Sequence, residues 1–207
     1  MIDPYDKINE SELIEQEKTE SKKGTVVSAF VSFFNFLKTV VLVVAIALVI
    51  RIFIVQPFVV EGQSMEPSFN NADYLITEKV SFRFREPERG EIIIFHPPDS
   101  PSVNYIKRII GLPGETIEIK DGTISINGER ISENYLFSPE DIKAVSRDGL
   151  KVNLGQNQFF VMGDNRNHSR DSREIGAISK DEIVSRVWFR LLPIKDAKAF
   201  AALNYGL

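Results

Sequence analysis

Residues 116–128 read Thr-Ile-Glu-Ile-Lys-Asp-Gly-Thr-Ile-Ser-Ile-Asn-Gly. Ile117, Ile119, Ile124 and Ile126 alternate with polar residues, which is the period of a strand with one buried face. Asp121-Gly122 and Asn127-Gly128 are two-residue hairpin signals, because a type I′ turn needs positive φ at both central positions. The stretch predicts a β-meander: a strand over Thr116–Lys120, a second over Thr123–Ile126, and a third after Gly128.

The β pattern continues on both sides. Phe58–Glu61, Tyr74–Val80, Glu91–Phe95 and Val103–Ile110 read as strands before the meander, and Phe159–Met162 and Ile183–Leu192 as strands after it. Residues 133–158 are loop-rich and yield no element. The sum is a mainly β fold: a β-rich barrel or sandwich over residues 57–195, with a tail, 196–207, of no assigned role.

Upstream the chain turns apolar from Val26 to Val60. The densest part is TVVLVVAIALVI (Thr39–Ile50), bracketed by Lys38 and Arg51. A bilayer core of about 30 Å needs roughly 20 residues, so the bracketed run alone is short. Extension to Val55 restores the length and leaves Arg51 to snorkel. This predicts one transmembrane helix within an anchor over residues 24–56, spanning about 37–55 and ended by Pro57. The alternative register, Phe30–Val49, buries Lys38 in mid-span at greater cost. A buried core helix is the other reading, but core helices are seldom apolar all round for so long. Residues 1–23 are polar and Glu-rich, a solvated tail. Lys18, Lys22, Lys23 and Lys38 precede or enter the span and only Arg51 closely follows it. The positive-inside rule then puts the N-terminus in the cytoplasm and the β domain outside.

Composition excludes several functions. The net charge is -4 with no basic stripe, which argues against nucleic acid as a partner. There is no cysteine, so disulfides, thiolate catalysis and iron–sulfur sites are out. The two histidines, His96 and His168, lack a metal-binding spacing. No cofactor or metal is expected.

Three polar segments sit at strand ends. In Gly62-Gln63-Ser64-Met65-Glu66-Pro67, a serine is held between glycine and a proline turn; alone it reads as a turn cap. In Tyr105-Ile106-Lys107-Arg108-Ile109-Ile110, alternation puts Lys107 with Tyr105 and Ile109, and Arg108 opposite. One of these cations therefore points to the apolar side. A lysine there loses solvation, its pKa falls, and it can act as a general base. The loop Gly163–Gly176, GDNRNHSRDSREIG, balances Asp164, Asp171 and Glu174 against Arg166, Arg170 and Arg173, which suggests local ion pairs.

Taken in order after an N-terminal apolar helix, SMEPS, YIKRIIGLPGE and GDNRNHSRDSREIG resemble the bacterial type I signal peptidase family. The resemblance runs from the helix to about Pro193, and its glycine pattern is similar to the single-span, Gram-positive-like branch. Ser68-Phe69 and Ala72-Asp73 depart mildly from the usual Thr-Leu and Gly-Asp.

The resemblance implies a membrane-bound serine endopeptidase of the plasma membrane that removes signal peptides from secretory pre-proteins at Ala-x-Ala type sites. Ser64 would be the nucleophile and Lys107 its neutral general base, a pairing consistent with a weak hydroxyl that needs a proton acceptor. Ser169 would hydrogen-bond and orient Lys107. Asp171 and Arg173 would pair, and Asp164 would support the loop. The Ser64 backbone N–H is an oxyanion donor. Gly62 stands where some relatives have a serine, so it offers no side-chain donor. Val60, Met65, Tyr105 and Ile106 are the substrate-binding candidates, with pre-protein and membrane lipid as partners. Competing expectations are a Ser–His hydrolase using His168, another Ser–Lys peptidase of self-cleaving repressor type, and a membrane-tethered inactive binding module of the same fold.

Overall fold

The meander forms as the sequence predicts. β5 (Thr116–Lys120) pairs with β6 (Thr123–Ile126), and β6 with β7 (Glu129–Arg130). Asp121 and Gly122 have φ of 50° and 70°, and Asn127 and Gly128 of 54° and 90°, the sign type I′ turns require. The structure, a computed structural model, describes residues 14–15, 30–51, 54–136, 149–203 and 205. Of residues 133–158, which yield no element by sequence, 137–148 lie outside the described residues, and Leu150–Asn153 form a strand. The chain divides into two units, Met1–Ile50 and Arg51–Leu207.

Helix α1, Phe30–Arg51, is 22 residues long and runs to the boundary between the units. At 1.5 Å per residue it is about 33 Å long, enough to cross a bilayer core. Its side chains are exposed along the whole length, unlike those of a core helix. The helix overlaps the expected span of 37–55 over residues 37–51. The helix has begun by Phe30, Ile54 is in a turn, and Val55 already opens a strand. Two local interactions accompany these bounds. Lys38 folds its ammonium back to 5.6 Å from the Phe34 ring centroid, an attraction that eases a cation onto an apolar helix. At the other end β1 (Val55–Val59) is captured by pairing with β2 (Tyr74–Glu78). Pro57 therefore does not end a helix. It sits in an edge strand, where a missing N–H is tolerated.

In the second unit the described strands form two sheets, and every pairing among them is antiparallel. The larger follows the order β1, β2, β11 (Ile183–Leu192), β3 (Ile92–Phe95), β4 (Tyr105–Gly111), β9 (Gln158–Met162), β10 (Ile178–Ser179), with β12 (Lys198–Ala199) on β11. The smaller runs β7, β6, β5, β8 (Leu150–Asn153). β3 shows why the large sheet reads as continuous Ile. Ile92 and Ile94 pack with Val60, Met65, Phe69 and Leu75 on one face. Ile93 and Phe95 pack with Ile109, Phe159 and Val161 on the other. Both faces are covered, so no alternation survives. The inward isoleucines of β5 and β6 close over Ile110, Phe160 and Met162 in a third cluster. Each such side chain contributes roughly 1.5–3 kcal/mol by leaving water.

Three chain segments meet at one end of this framework. They are the turn after β1, the middle of β4, and the loop after β9.

Candidate active site

Ser64 follows β1 in a turn closed by the Glu66 N–H to the Gln63 carbonyl (3.1 Å) and the Phe69 N–H to the Met65 carbonyl (2.8 Å). Met65 and Phe69 are fully buried and fasten the turn to the core. Met65 was expected at the substrate surface, but its side chain turns inward to the Phe69 cluster and takes no part in the groove.

Lys107 lies in the middle of β4, only 4% exposed. Its Nζ donates to Ser64 Oγ and to the Ile106 carbonyl, each at 2.8 Å. Burial pulls its pKa down to about 8, with a smaller push from Arg173; Asp171 and Asp164 act the other way. About one such lysine in ten is then neutral at pH 7, against one in a few thousand for a solvated side chain. Arg108, expected on the opposite face, is equally buried at 3%. Both cations, not one, are out of water, because both faces of β4 are covered. Arg108 is held bidentate by Asp164 (2.8 and 2.6 Å). It also donates to the Gly90 carbonyl (2.9 Å) and Ser68 Oγ (3.1 Å). Asp164 thus supports the site through a strand partner rather than within its own loop.

The loop after β9 presses on the Ser64 turn. The Asn165 N–H donates to the Ser64 carbonyl at 3.0 Å. A Cβ on Gly163 would stand 2.5 Å from that same carbonyl and 2.2 Å from Ser169 Oγ, so only glycine fits there. Asp171 is the hub of the loop. It accepts from the Gly163 N–H (3.0 Å), from Ser169 Oγ (2.8 Å), and from Arg173 Nε and a terminal nitrogen (2.8 Å each). Its carboxylate also caps the short helix α2 (Ser172–Ile175). Burial pushes the Asp171 carboxyl up, but the Arg173 guanidinium and the surrounding donors outweigh it and hold the pKa below its ordinary value.

Ser169 is not where the resemblance puts it in hydrogen-bonding terms. It sits beside the dyad, but its hydroxyl donates to Asp171 and not to Lys107. A charged carboxylate is the stronger acceptor. His168 lies against Asn165, Nδ1 to Oδ1 3.2 Å, and does not contact Ser64. Of the loop's expected local ion pairs, Asp171–Arg173 is tight and Arg170–Glu174 is long at 3.9 Å. Arg166 reaches Glu133, and Arg170 reaches Asp99. These distant partners have no signature in sequence spacing. Gly163 had one, as the glycine that opens the loop motif.

Ser64 and Lys107 face a groove of about 670 Å³ whose walls include Val60, Tyr105, Ile106 and Arg170. Three of the four substrate-binding candidates therefore line it. A hydroxyl bonded to a buried lysine at the head of an open groove is suited to nucleophilic attack on a carbonyl.

The chain is similar to known proteins over most of its length. Residues 33–192 match the family model described as signal peptidase, peptidase S26. A signal peptidase I of Bacillus amyloliquefaciens is 37% identical over 90% of this chain and 98% of its own. One of Bacillus licheniformis is 36% identical over 88% and 97%, and one of Leptolyngbya laminosa 39% over 76% and 79%. A crystal structure of a signal peptidase I from Enterococcus faecalis is 34% identical, covers 49% of this chain and 97% of its own, and has a TM-score of 0.43. The fold and groove define a β-rich peptidase. The chain belongs to the signal peptidase family, peptidase S26, and its class of enzyme is serine endopeptidase of the signal peptidase I type.

Proposed function

We propose that this chain is a membrane-tethered signal peptidase that cleaves secretory pre-proteins after small residues, with Ser64 as nucleophile and Lys107 as general base. The observation that carries the reading is the 2.8 Å bond between Lys107 Nζ and Ser64 Oγ, on a lysine out of water. Neutral Lys107 accepts the hydroxyl proton as Ser64 Oγ attacks the scissile carbonyl. The Lys107 ammonium then protonates the leaving amine, and an acyl ester stays on Ser64. A water attacks that ester as Lys107 accepts its proton, and Lys107 passes that proton to Ser64 Oγ as the ester bond breaks and the carboxylic acid leaves. The oxyanion is stabilised by the Ser64 backbone N–H. Gly62 gives no side-chain donor, and a Cβ there would meet open space.

The substrate binds as an extended strand in the groove, and shallow pockets beside Val60, Tyr105 and Ile106 accept alanine at alternate positions of an Ala-x-Ala site. Asp171 and Arg173 brace the loop, and Ser169 donates to Asp171 within it. Asp164 holds Arg108 beneath it. Helix α1 anchors the chain in the plasma membrane among its lipid-borne substrates, with the N-terminus cytoplasmic and the β domain outside.

The test is cleavage of an Ala-x-Ala pre-protein by full-length protein in detergent, beside Ser64→Ala and Lys107→Ala. The wild type should cut after the second alanine and both folded variants should lose activity by about 10³-fold or more. An inert wild type in both detergent and vesicles removes the enzymatic reading and leaves a tethered binding module.

A further inference from the structure

The catalytic loop rests on side chains that the reaction scheme does not use. Arg166 and Glu133 are both buried, their side chains 2% and 6% exposed. They pair bidentately at 2.8 and 2.5 Å. Arg166 Nε donates to the Gly163 carbonyl at 3.0 Å. Gly163 is the residue pressed against the Ser64 carbonyl, and Asn165 hydrogen-bonds that same carbonyl. One guanidinium thus sets the backbone that faces the nucleophile.

Two tyrosines extend this support. Arg166 donates to the Tyr135 hydroxyl (3.1 Å), and the Tyr205 hydroxyl donates to Tyr135 as well (3.3 Å). The rings meet edge to face at 5.9 Å. The Arg108 guanidinium lies 4.3 Å from the Tyr135 ring centroid, so the cluster touches the Asp164 pair too. Burial pushes both phenols up, Tyr205 to about 12, and both keep their protons at neutral pH. Tyr205 belongs to the C-terminal tail, which also packs so tightly at Leu203 that a Cβ on Gly90 would stand 2.5 Å from the Leu203 nitrogen. Glu133 and Tyr135 lie just beyond β7 of the small sheet. None of Glu133, Tyr135 and Tyr205 lines the groove.

Stability alone does not account for this pair. Replacing a buried ion pair with apolar residues of similar volume is often neutral or stabilising. What apolar side chains cannot supply is a donor to the Gly163 carbonyl.

We infer that Glu133 and Tyr205 are positioning residues: acting through Arg166, they fix residues 163–165 against Ser64, so that the small sheet and the C-terminal tail set the reactivity of the dyad. The inference rests on the Ser–Lys peptidase reading. Its test uses the full-length protein in detergent. Glu133→Gln should lower kcat about 10- to 100-fold, the effect of small misplacement, with KM changed less than about twofold. The double replacement Glu133→Leu with Arg166→Met should regain the wild-type thermal midpoint while kcat stays low. Amide exchange should quicken over residues 163–169 in each variant and stay unchanged over β5 and β6. Ending the chain after Leu203 should quicken the same loop and lower kcat less. Wild-type kcat in Glu133→Gln overturns the inference, as does kcat recovering together with the midpoint in the double replacement. If the wild type cleaves nothing, the peptidase reading fails, and exchange still decides: acceleration confined to the loop supports the clamp, and uniform or absent change refutes it.

Discussion

Lys107 and Arg108 are neighbours on one strand, face opposite ways, and are buried to the same degree. Their electrostatic surroundings are opposite. Arg108 meets a carboxylate head-on, at 2.8 and 2.6 Å, together with a carbonyl and a hydroxyl. Burial works against its charge, yet the Asp164 bonds outweigh burial and its pKa rises. Lys107 Nζ donates to a hydroxyl and a carbonyl and stands 5.3 Å from the Tyr105 ring centroid, and the carboxylates that act on it do so at longer range. There burial wins, and the pKa falls to about 8. Burial by itself therefore does not make a base. A buried cation becomes one when the strand face it occupies withholds a contacting carboxylate.

Two substitutions break the comparison from opposite sides. The larger effect is expected at Arg108→Met, which strands Asp164 as an unpaired carboxylate in the interior. Removing one partner of a buried pair costs about 3–5 kcal/mol. The loss should appear as a lower denaturant midpoint followed by Trp188, the only tryptophan, which lies on β11. A loss below about 1 kcal/mol would mean that the pair is solvated.

Lys107→Met should do the reverse. The wild type holds a cation whose folded pKa lies below its unfolded value, so the folded state binds fewer protons between about pH 8 and 10.5. Below pH 8 the lysine therefore costs the fold its full amount, roughly 3 kcal/mol at 1.36 kcal/mol per unit. That cost fades as pH rises through the window. The variant should be inactive yet more stable than wild type by up to that amount at pH 7, with the advantage gone near pH 10.5. A Lys107→Met protein less stable than wild type at pH 7 would show that Lys107 is held by its bonds rather than tolerated for its chemistry.

Much of this contrast was legible in the sequence, and the rest was hidden for physical reasons. Strands β5, β6 and β11 could be read because alternation, turn dipeptides and β-branched runs are local signals. β10 and β12, two residues each, exist only through their partners. Pro57 reads as a helix stop because sequence does not reveal that an edge strand awaits it. The pairing of Ser64 with Lys107 was expected from the resemblance of the motifs to the signal peptidase family, and the two side chains lie within hydrogen-bond distance. The burial of both Lys107 and Arg108 was not expected, since alternation describes a strand with one covered face and β4 has two. Met65 reads as a surface residue because its neighbour is the proposed nucleophile, and a turn can send adjacent side chains to opposite sides. The Arg166–Glu133 and Arg108–Asp164 pairs join residues far apart in the chain, and loop composition alone suggests nearer partners.

The smallest effect is the most direct reading of Lys107. If neutral lysine is the active form, activity follows the fraction of Lys107 that has lost its proton. That fraction rises tenfold per pH unit below the pKa and levels off above it. kcat/KM for an Ala-x-Ala pre-protein should therefore climb about tenfold, or 1.4 kcal/mol, for each unit from pH 5 to 7 and flatten past about 8. Charge at the loop should move the bend: Asp164 raises the lysine pKa from a distance, so Asp164→Asn, if folded, should shift the bend to lower pH. A flat profile from pH 5 to 9, or a bend that moves up in Asp164→Asn, would mean that the proton acceptor is a group other than Lys107. His168 would then be examined first, through His168→Ala, because it is the histidine of the loop after β9.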